Sequence, residues 1–219
     1  INVLGGDIVG AGTNKIIING VKRLGGGTFT PIPDRIIAGT YMIATAITRG
    51  KVTIKNINAE HIFSLINKLR KSGCIIEINN GIITVENSRR PHSISFDTQP
   101  YPGFPTDLQP QLTVLETISK GMSVVTENLF ETRFRHLQEM MKMGANVTFR
   151  DRTAIIKGVP KLHSANVVSY DLRGGSALTL AGLVARGITT IENVNFIDRG
   201  YERLEEKLSY LGADIKRIK

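Results

Sequence analysis

Apolar and polar positions along this chain follow two periods, and the alternation between the two recurs three times. Each recurrence opens at an aspartate with a run that is apolar nearly all round: "DRIIAGTYMIATAITRG" from Asp34, "DLQPQLTVLETISKG" from Asp107 and "DLRGGSALTLAGLVARG" from Asp171. Such runs predict helices buried on most sides. Each is followed by a Gly-x-[Ser/Thr]-x-[Val/Ile] strand: "GKVTI" (50–54), "GMSVV" (121–125) and "GITTI" (187–191). A second helix with a 3.6-residue stripe comes next. The stripes are Ile62, Leu65, Ile66 and Leu69, then Phe134, Leu137 and Met141, then Tyr201, Leu204, Leu208 and Leu211. Gly73, Gly144 and Gly212 suit the left-handed cap that stops a helix, and strands follow at "SGCIIEI", "MGANVTF" and "LGADIKRI". In the first two units a further strand closes the pattern, "GIITVEN" and "TAIIKGV".

The fold class implied is α/β, built from three βαβαββ units at 31–90, 91–160 and 161–219. Their first helices share a buried centre, and strands and hairpins surround it. The segment "GGDIVGAGTNKIIING" (5–20) reads as a hairpin matching only the closing strands of a unit. Residues 1–30 are therefore expected to be the tail of an earlier copy whose front is absent. The third unit is expected to end with its last strand unpaired at Lys219.

Composition narrows the chemistry. An apolar content of 41% supports a real core. The longest uncharged apolar run, Ile36 to Thr48, is too short to span a bilayer, and no signal peptide opens the chain, so a soluble cytoplasmic protein without membrane contact is expected. One cysteine, Cys74, excludes an internal disulfide, and the four histidines are scattered. No Cys/His spacing suggests a metal, and no cofactor is expected. The net charge of +9 calls for an anionic partner. Basic residues are dispersed and aromatics make up only 6%, which favours small phosphates over nucleic acid. A basic nucleic-acid-binding repeat protein is the alternative from another class, and a structural remnant that binds nothing is a third reading.

The stretch "YPGFPTDLQPQ" (101–111), with Pro100 just before it, concentrates prolines around one acid, Asp107. Proline fixes its own φ and restricts the residue before it, so this is a stiff approach to something. At the start of a buried helix Asp107, like Asp34 and Asp171, is in place for an N-cap. Aimed into a cleft, it could instead take a proton from a hydroxyl. Arg133 in "FETRFRH", Arg173 in "DLRGG" and Arg199 in "FIDRGYE" stand at matching places, each expected at or near a helix N-terminus. Converging, their guanidiniums would bind phosphate and carboxylate groups bidentately. Gly174 and Gly175 would let a ligand approach the backbone.

These motifs, with "IPDRIIAGTYMIATAI", "ENLFETRFRHLQEMMKMGA" and "IDRGYERLEEKLSYLGADI", closely resemble the carboxy-terminal half of the UDP-N-acetylglucosamine enolpyruvyl transferases, from Ile1 to Lys219. The related shikimate-pathway enzyme shares the fold without these motifs. The resemblance implies an inside-out α/β barrel, helices inside and sheets outside. It implies transfer of an enolpyruvyl group from phosphoenolpyruvate to the 3′-hydroxyl of UDP-N-acetylglucosamine, the first committed step of bacterial peptidoglycan synthesis and the step blocked by fosfomycin. By the same resemblance Asp107 contacts the sugar and deprotonates its hydroxyl, and Leu129 contacts the nucleotide sugar through its backbone. Arg133, Arg173 and Arg199 close on phosphoenolpyruvate, and Asp171 takes part in proton movement. The family's reactive cysteine and its lysine–asparagine pair belong to the amino-terminal domain and have no counterpart here. Cys74, at a helix-to-strand junction, is not that cysteine. The chain is expected to need that missing domain as its partner and to be inactive alone.

Overall fold

A computed structural model describes every residue except Gly12, Asn14 and Lys219. It divides into two compact units, Ile1–Pro33 and Asp34–Lys219. In the first, β1 (Asp7–Val9) pairs antiparallel with β2 (Ile17–Asn19). These are the strands of the hairpin expected at 5–20; Gly12, Asn14 and Lys219 lie outside the described residues.

The second unit begins with α1 (Arg35–Thr48). Asp34 caps it, its Oδ1 accepting the Ile36 and Ile37 N–H groups at 2.8 and 3.0 Å. There follow β3 (Lys51–Lys55), α2 (Phe63–Lys71), β4 (Ile75–Asn79) and β5 (Ile82–Glu86), whose strands form an antiparallel sheet in the order β3-β5-β4. The middle segment carries β6 (Phe96–Asp97), α3 (Gln109–Ile118), β7 (Met122–Thr126), α4 (Arg135–Lys142), β8 (Asn146–Arg150) and β9 (Thr153–Lys157). Its sheet runs β6-β7-β9-β8, with only the β6–β7 pairing parallel.

Alternation along these strands buries one face. Ile83 and Val85, Val125, Ala154 and Ile156 point inward, while Thr53 and Thr84 bond to each other on the wet face at 3.1 Å. Gly73, Gly144 and Gly212 all take left-handed φ, at 105°, 84° and 98°.

The last segment departs from the pattern. It contains β10 (Leu162–His163), β11 (Asn166–Val168), α5 (Leu172–Gly182), β12 (Ala185–Arg186), β13 (Thr190–Glu192), α6 (Asn195–Asp198) and α7 (Leu204–Tyr210). Its strands pair parallel, β10 with β12 and β11 with β13. The strand expected at 211–218 does not form. In the earlier segments that strand is laddered by the one following it, β4 by β5 and β8 by β9; here none follows among the described residues.

Helix α3 packs between α1 and α5, and all ten of its residues are buried. A helix flanked on every side has no solvated face, as the nearly all-round apolar run predicts, and even its Gln109, Gln111 and Glu116 are buried. The stripes of the second helices need two corrections. Met140, fully buried, takes the place assigned to Met141, which is half exposed. Leu211 lies past the end of α7 and is also half exposed. Ile197, Tyr201, Leu204 and Leu208 form a small core of their own beside Leu172 and Tyr41.

Candidate active site

The proline-rich approach ends in a single 3-10 turn, Thr106–Leu108, immediately before α3. Phe104 anchors it from below, buried edge-on against Phe96 with ring centroids 5.0 Å apart. Asp107 sits in the middle of this turn and does not cap the helix; α3 has no side-chain cap. That corrects the N-cap expectation, and the reason is visible in its partners. Oδ1 accepts a hydrogen bond from Arg133 Nη2 at 2.8 Å, and Oδ2 accepts one from Arg173 Nη2 at 3.2 Å.

The two arginines arrive from different elements. Arg133 lies in the turn before α4, its Nε donating to Thr106 Oγ1 at 3.1 Å and its guanidinium stacked over the Phe130 ring at 4.4 Å. Arg173 is the second residue of α5. Its Nη1 reaches the Tyr201 hydroxyl at 3.4 Å, and its guanidinium lies 5.7 Å from that ring's centre. Their side chains are only 10% and 16% exposed, against 40% for Asp107. Two largely desolvated guanidiniums thus share one carboxylate, leaving a positive excess at a water-facing rim. Such a pair is chemically able to take a second anion in competition with Asp107.

The apolar stripe accounts for the Tyr201 ring but not for its hydroxyl. Tyr201 is buried, and its hydroxyl lies 2.8 Å from Thr40 Oγ1 and accepts from Gln111 Nε2 at 3.0 Å. Gln111 also donates to Ser176 Oγ at 3.1 Å. One polar knot therefore joins α1, α3 and α5 beneath Arg173.

Asp171 is an N-cap. Its Oδ1 accepts from the Arg173 and Gly174 N–H groups at 2.9 and 2.8 Å. Gly174 and Gly175 are buried and make room for protein rather than for a ligand. A Cβ at Gly175 would strike the Ser169 hydroxyl and Ile197, and one at Gly174 would strike Asp171 and His136. His136 is buried with Nδ1 3.1 Å from the Arg133 carbonyl. A carbonyl only accepts, so the ring proton is on Nδ1. Burial holds the imidazole pKa down to about 4, with Asp171 opposing, so the ring is neutral.

Arg199 does not join the cluster. It is exposed, forms the C-terminal cap of α6 rather than opening a helix, and makes no ion pair among the described residues. Leu129 does come near: it and Asp107 line the same small cavity of about 130 Å³, with Arg35, Gln99 and Tyr101. Its N–H is already given to Glu127 Oε1 at 2.9 Å. A larger groove, of about 510 Å³, is lined by Tyr41, Val52, Arg203 and Tyr210 and contains none of these residues. Cys74 is buried, and burial pushes its thiol pKa up, the setting of an inert packing residue.

The family model of EPSP synthase (3-phosphoshikimate 1-carboxyvinyltransferase) matches residues 1–208. The chain belongs to this family. It is 48% identical, over its whole length, to UDP-N-acetylglucosamine 1-carboxyvinyltransferase 2 of Caldanaerobacter subterraneus subsp. tengcongensis, covering 52% of that protein. Among solved structures, the enolpyruvyl transferase NikO from Streptomyces tendae superposes with a TM-score of 0.85 at 26% identity, over 98% of this chain and 52% of that one. EPSP synthase from Acinetobacter baumannii shares the fold, with a TM-score of 0.77 at 21% identity over 100% of this chain and 54% of that one. The architecture is therefore the α/β enolpyruvyl transferase fold. The chain spans about half the length of the curated relatives it matches. No helix is long and apolar enough to cross a membrane among the described residues.

Proposed function

We propose that this chain is the carboxy-terminal half of a UDP-N-acetylglucosamine 1-carboxyvinyltransferase, which moves the enolpyruvyl group of phosphoenolpyruvate to the 3′-hydroxyl of UDP-N-acetylglucosamine and releases phosphate. The observation that carries the reading is the junction of Arg133, Arg173 and Asp107, in a chain 48% identical to a protein of that name. The reaction handles a phosphate, a carboxylate and a hydroxyl, and this cluster offers a counterpart to each. Arg133 and Arg173 bind the anion bidentately. As they turn toward it, the carboxylate of Asp107 is freed to accept the proton of the attacking hydroxyl. Leu129 offers its carbonyl to the nucleotide sugar, since its N–H is spent on Glu127. Arg199, exposed and without an ion pair among the described residues, swings in from the rim. Asp171 keeps Oδ2 clear of the cap and serves proton movement from there. The proton donor to phosphoenolpyruvate comes from the amino-terminal domain, without which this chain does not turn over.

In finer detail the fold is read as three βαβαββ units in an inside-out barrel. The step placed here is the first committed one of peptidoglycan synthesis, in the cytoplasm, and fosfomycin-sensitive. The nucleic-acid reading loses its footing because the arginines that converge do so around one carboxylate rather than along a groove. The test is Asp107→Asn in the full-length protein, followed by phosphate release from both substrates. Loss of a general base costs about 10²- to 10⁴-fold in kcat; turnover at the wild-type rate would overturn the assignment.

A further inference from the structure

Glu127 lies at the end of β7 and is fully buried, yet no basic side chain pairs with it among the described residues. Four donors take the place of a counter-ion. Oε1 accepts from the Thr98 hydroxyl at 2.8 Å and from the Leu129 and Phe130 N–H groups at 2.9 and 3.0 Å; Oε2 accepts from the Thr106 hydroxyl at 2.9 Å. Thr98 Oγ1 in turn accepts the Asn128 N–H at 2.8 Å. A buried carboxylate is tolerated only when its hydration is replaced in this way, and charge-assisted bonds are the stronger ones.

What the four donors belong to is the point. Thr106 is the neighbour of Asp107, and its oxygen receives Arg133 Nε at 3.1 Å. Phe130 carries the ring on which the Arg133 guanidinium rests at 4.4 Å. Leu129 lines the cavity it shares with Asp107. One carboxylate thus grips the turn bearing the acid, the platform under the arginine and the loop at the cavity's edge. We infer that Glu127 is the positioning residue of this site: by receiving the Thr106 proton it leaves the Thr106 oxygen free to hold Arg133 Nε, and so sets the distance between Arg133 and Asp107. The inference rests on the catalytic reading for its kinetic consequence but not for its structural one.

Glu127→Gln keeps size and shape and reverses one bond. With the amide oxygen at the Oε1 place, its nitrogen faces Thr106 as a donor. The Thr106 oxygen then meets two donors, Gln and Arg133, while its own proton loses its acceptor. The opposite rotamer sets the amide nitrogen against Thr98, Leu129 and Phe130, three donors at once. In the first rotamer the Thr106 hydroxyl has no acceptor beside two donors; in the second Thr106 keeps its acceptor, but the Phe130 platform under Arg133 is no longer held. Either way one of the two supports of Arg133 is weakened.

The experiment uses the full-length protein with Glu127→Gln, Thr106→Val and Thr106→Ser. Glu127→Gln and Thr106→Val should each lower kcat about 10²-fold, the scale of a misplacement near 1 Å, and Thr106→Ser, which keeps the hydroxyl, should restore it. Combined, Glu127→Gln and Thr106→Val should lose no more than the worse single change, because they break one chain. Wild-type kcat in Glu127→Gln, or losses that multiply in the double variant, would overturn the proposal. A crystal structure of Glu127→Gln decides independently of turnover: either the Arg133 Nε contact to Thr106 or the Arg133 stacking on Phe130 should be displaced, and retention of both, at 3.1 and 4.4 Å, overturns the inference. If Asp107→Asn also turns over normally, it is the catalytic reading that fails, and the same contact still judges Glu127.

Discussion

Glu116 is a carboxylic acid in the middle of the central helix, and it makes the stability of this fold depend on pH in an unusual direction. It is wholly buried in α3. Oε2 accepts the Ile94 N–H at 2.9 Å, and Oε1 has no hydrogen-bond partner within reach among the described residues. Burial disfavours its charged form and pushes the pKa up to about 8, against the pull of the Ile94 N–H, the nearby Ser123 hydroxyl and Lys68. The folded state therefore holds a proton that the unfolded chain releases near 4.5. Where the native state binds more protons, stability falls as pH rises. The contribution is complete below 4.5 and is lost progressively up to about 8, at roughly 1.4 kcal/mol per pH unit, or about 4 to 5 kcal/mol in all. Between pH 6 and pH 9 the loss is about 2 to 3 kcal/mol. Glu116→Gln fills the same volume, can still accept from Ile94 and does not titrate. Urea denaturation of both proteins at pH 6 and pH 9 isolates the effect, since His136 and the other titrating groups cancel in the difference. The variant should match wild type to within about 1 kcal/mol at pH 6 and exceed it by about 2 to 3 kcal/mol at pH 9. A difference independent of pH would refute the reasoning.

Two further outcomes follow from packing and from the buried polar knot. Leu112→Ala, at a fully buried position of α3, should cost about 2 to 5 kcal/mol, measured by denaturation. Tyr201→Phe leaves Gln111 Nε2 with Ser176 and the longer 3.4 Å contact to Thr40, and removes the hydroxyl from Arg173 Nη1 while the Asp107 contact stays. It should cost about 1 to 3 kcal/mol and raise KM for phosphoenolpyruvate in the full-length protein; an unchanged midpoint and KM would show the knot to be idle.

Periodicity made much of the architecture readable. Helices α1, α3 and α5 were visible because a segment apolar on all sides has nowhere to be except between other elements. Two-residue alternation and the glycines at 73, 144 and 212 marked most strands and helix ends. The segment at 211–218 misled because strand propensity needs a partner, and no local signal reports one. Asp107 looked like a cap because capping is a local pattern; the arginines that claim it lie 26 and 66 residues away. Arg199 matched by spacing and still fell outside the cluster. Glu127 left no trace at all. A single acid after a strand is commonplace, and only the fold gathers its four donors from separate segments. Tyr201 is intermediate, since a phenol within an apolar stripe must send its hydroxyl somewhere.

The central claim is that Arg133 and Arg173 exchange Asp107 for a substrate anion. A crystal structure of the full-length protein with UDP-N-acetylglucosamine and phosphoenolpyruvate bound tests it most directly. The account predicts both guanidiniums on the anion and the sugar hydroxyl within hydrogen-bond reach of the Asp107 carboxylate. Substrates bound elsewhere, with the 2.8 and 3.2 Å contacts to Asp107 intact, would contradict it.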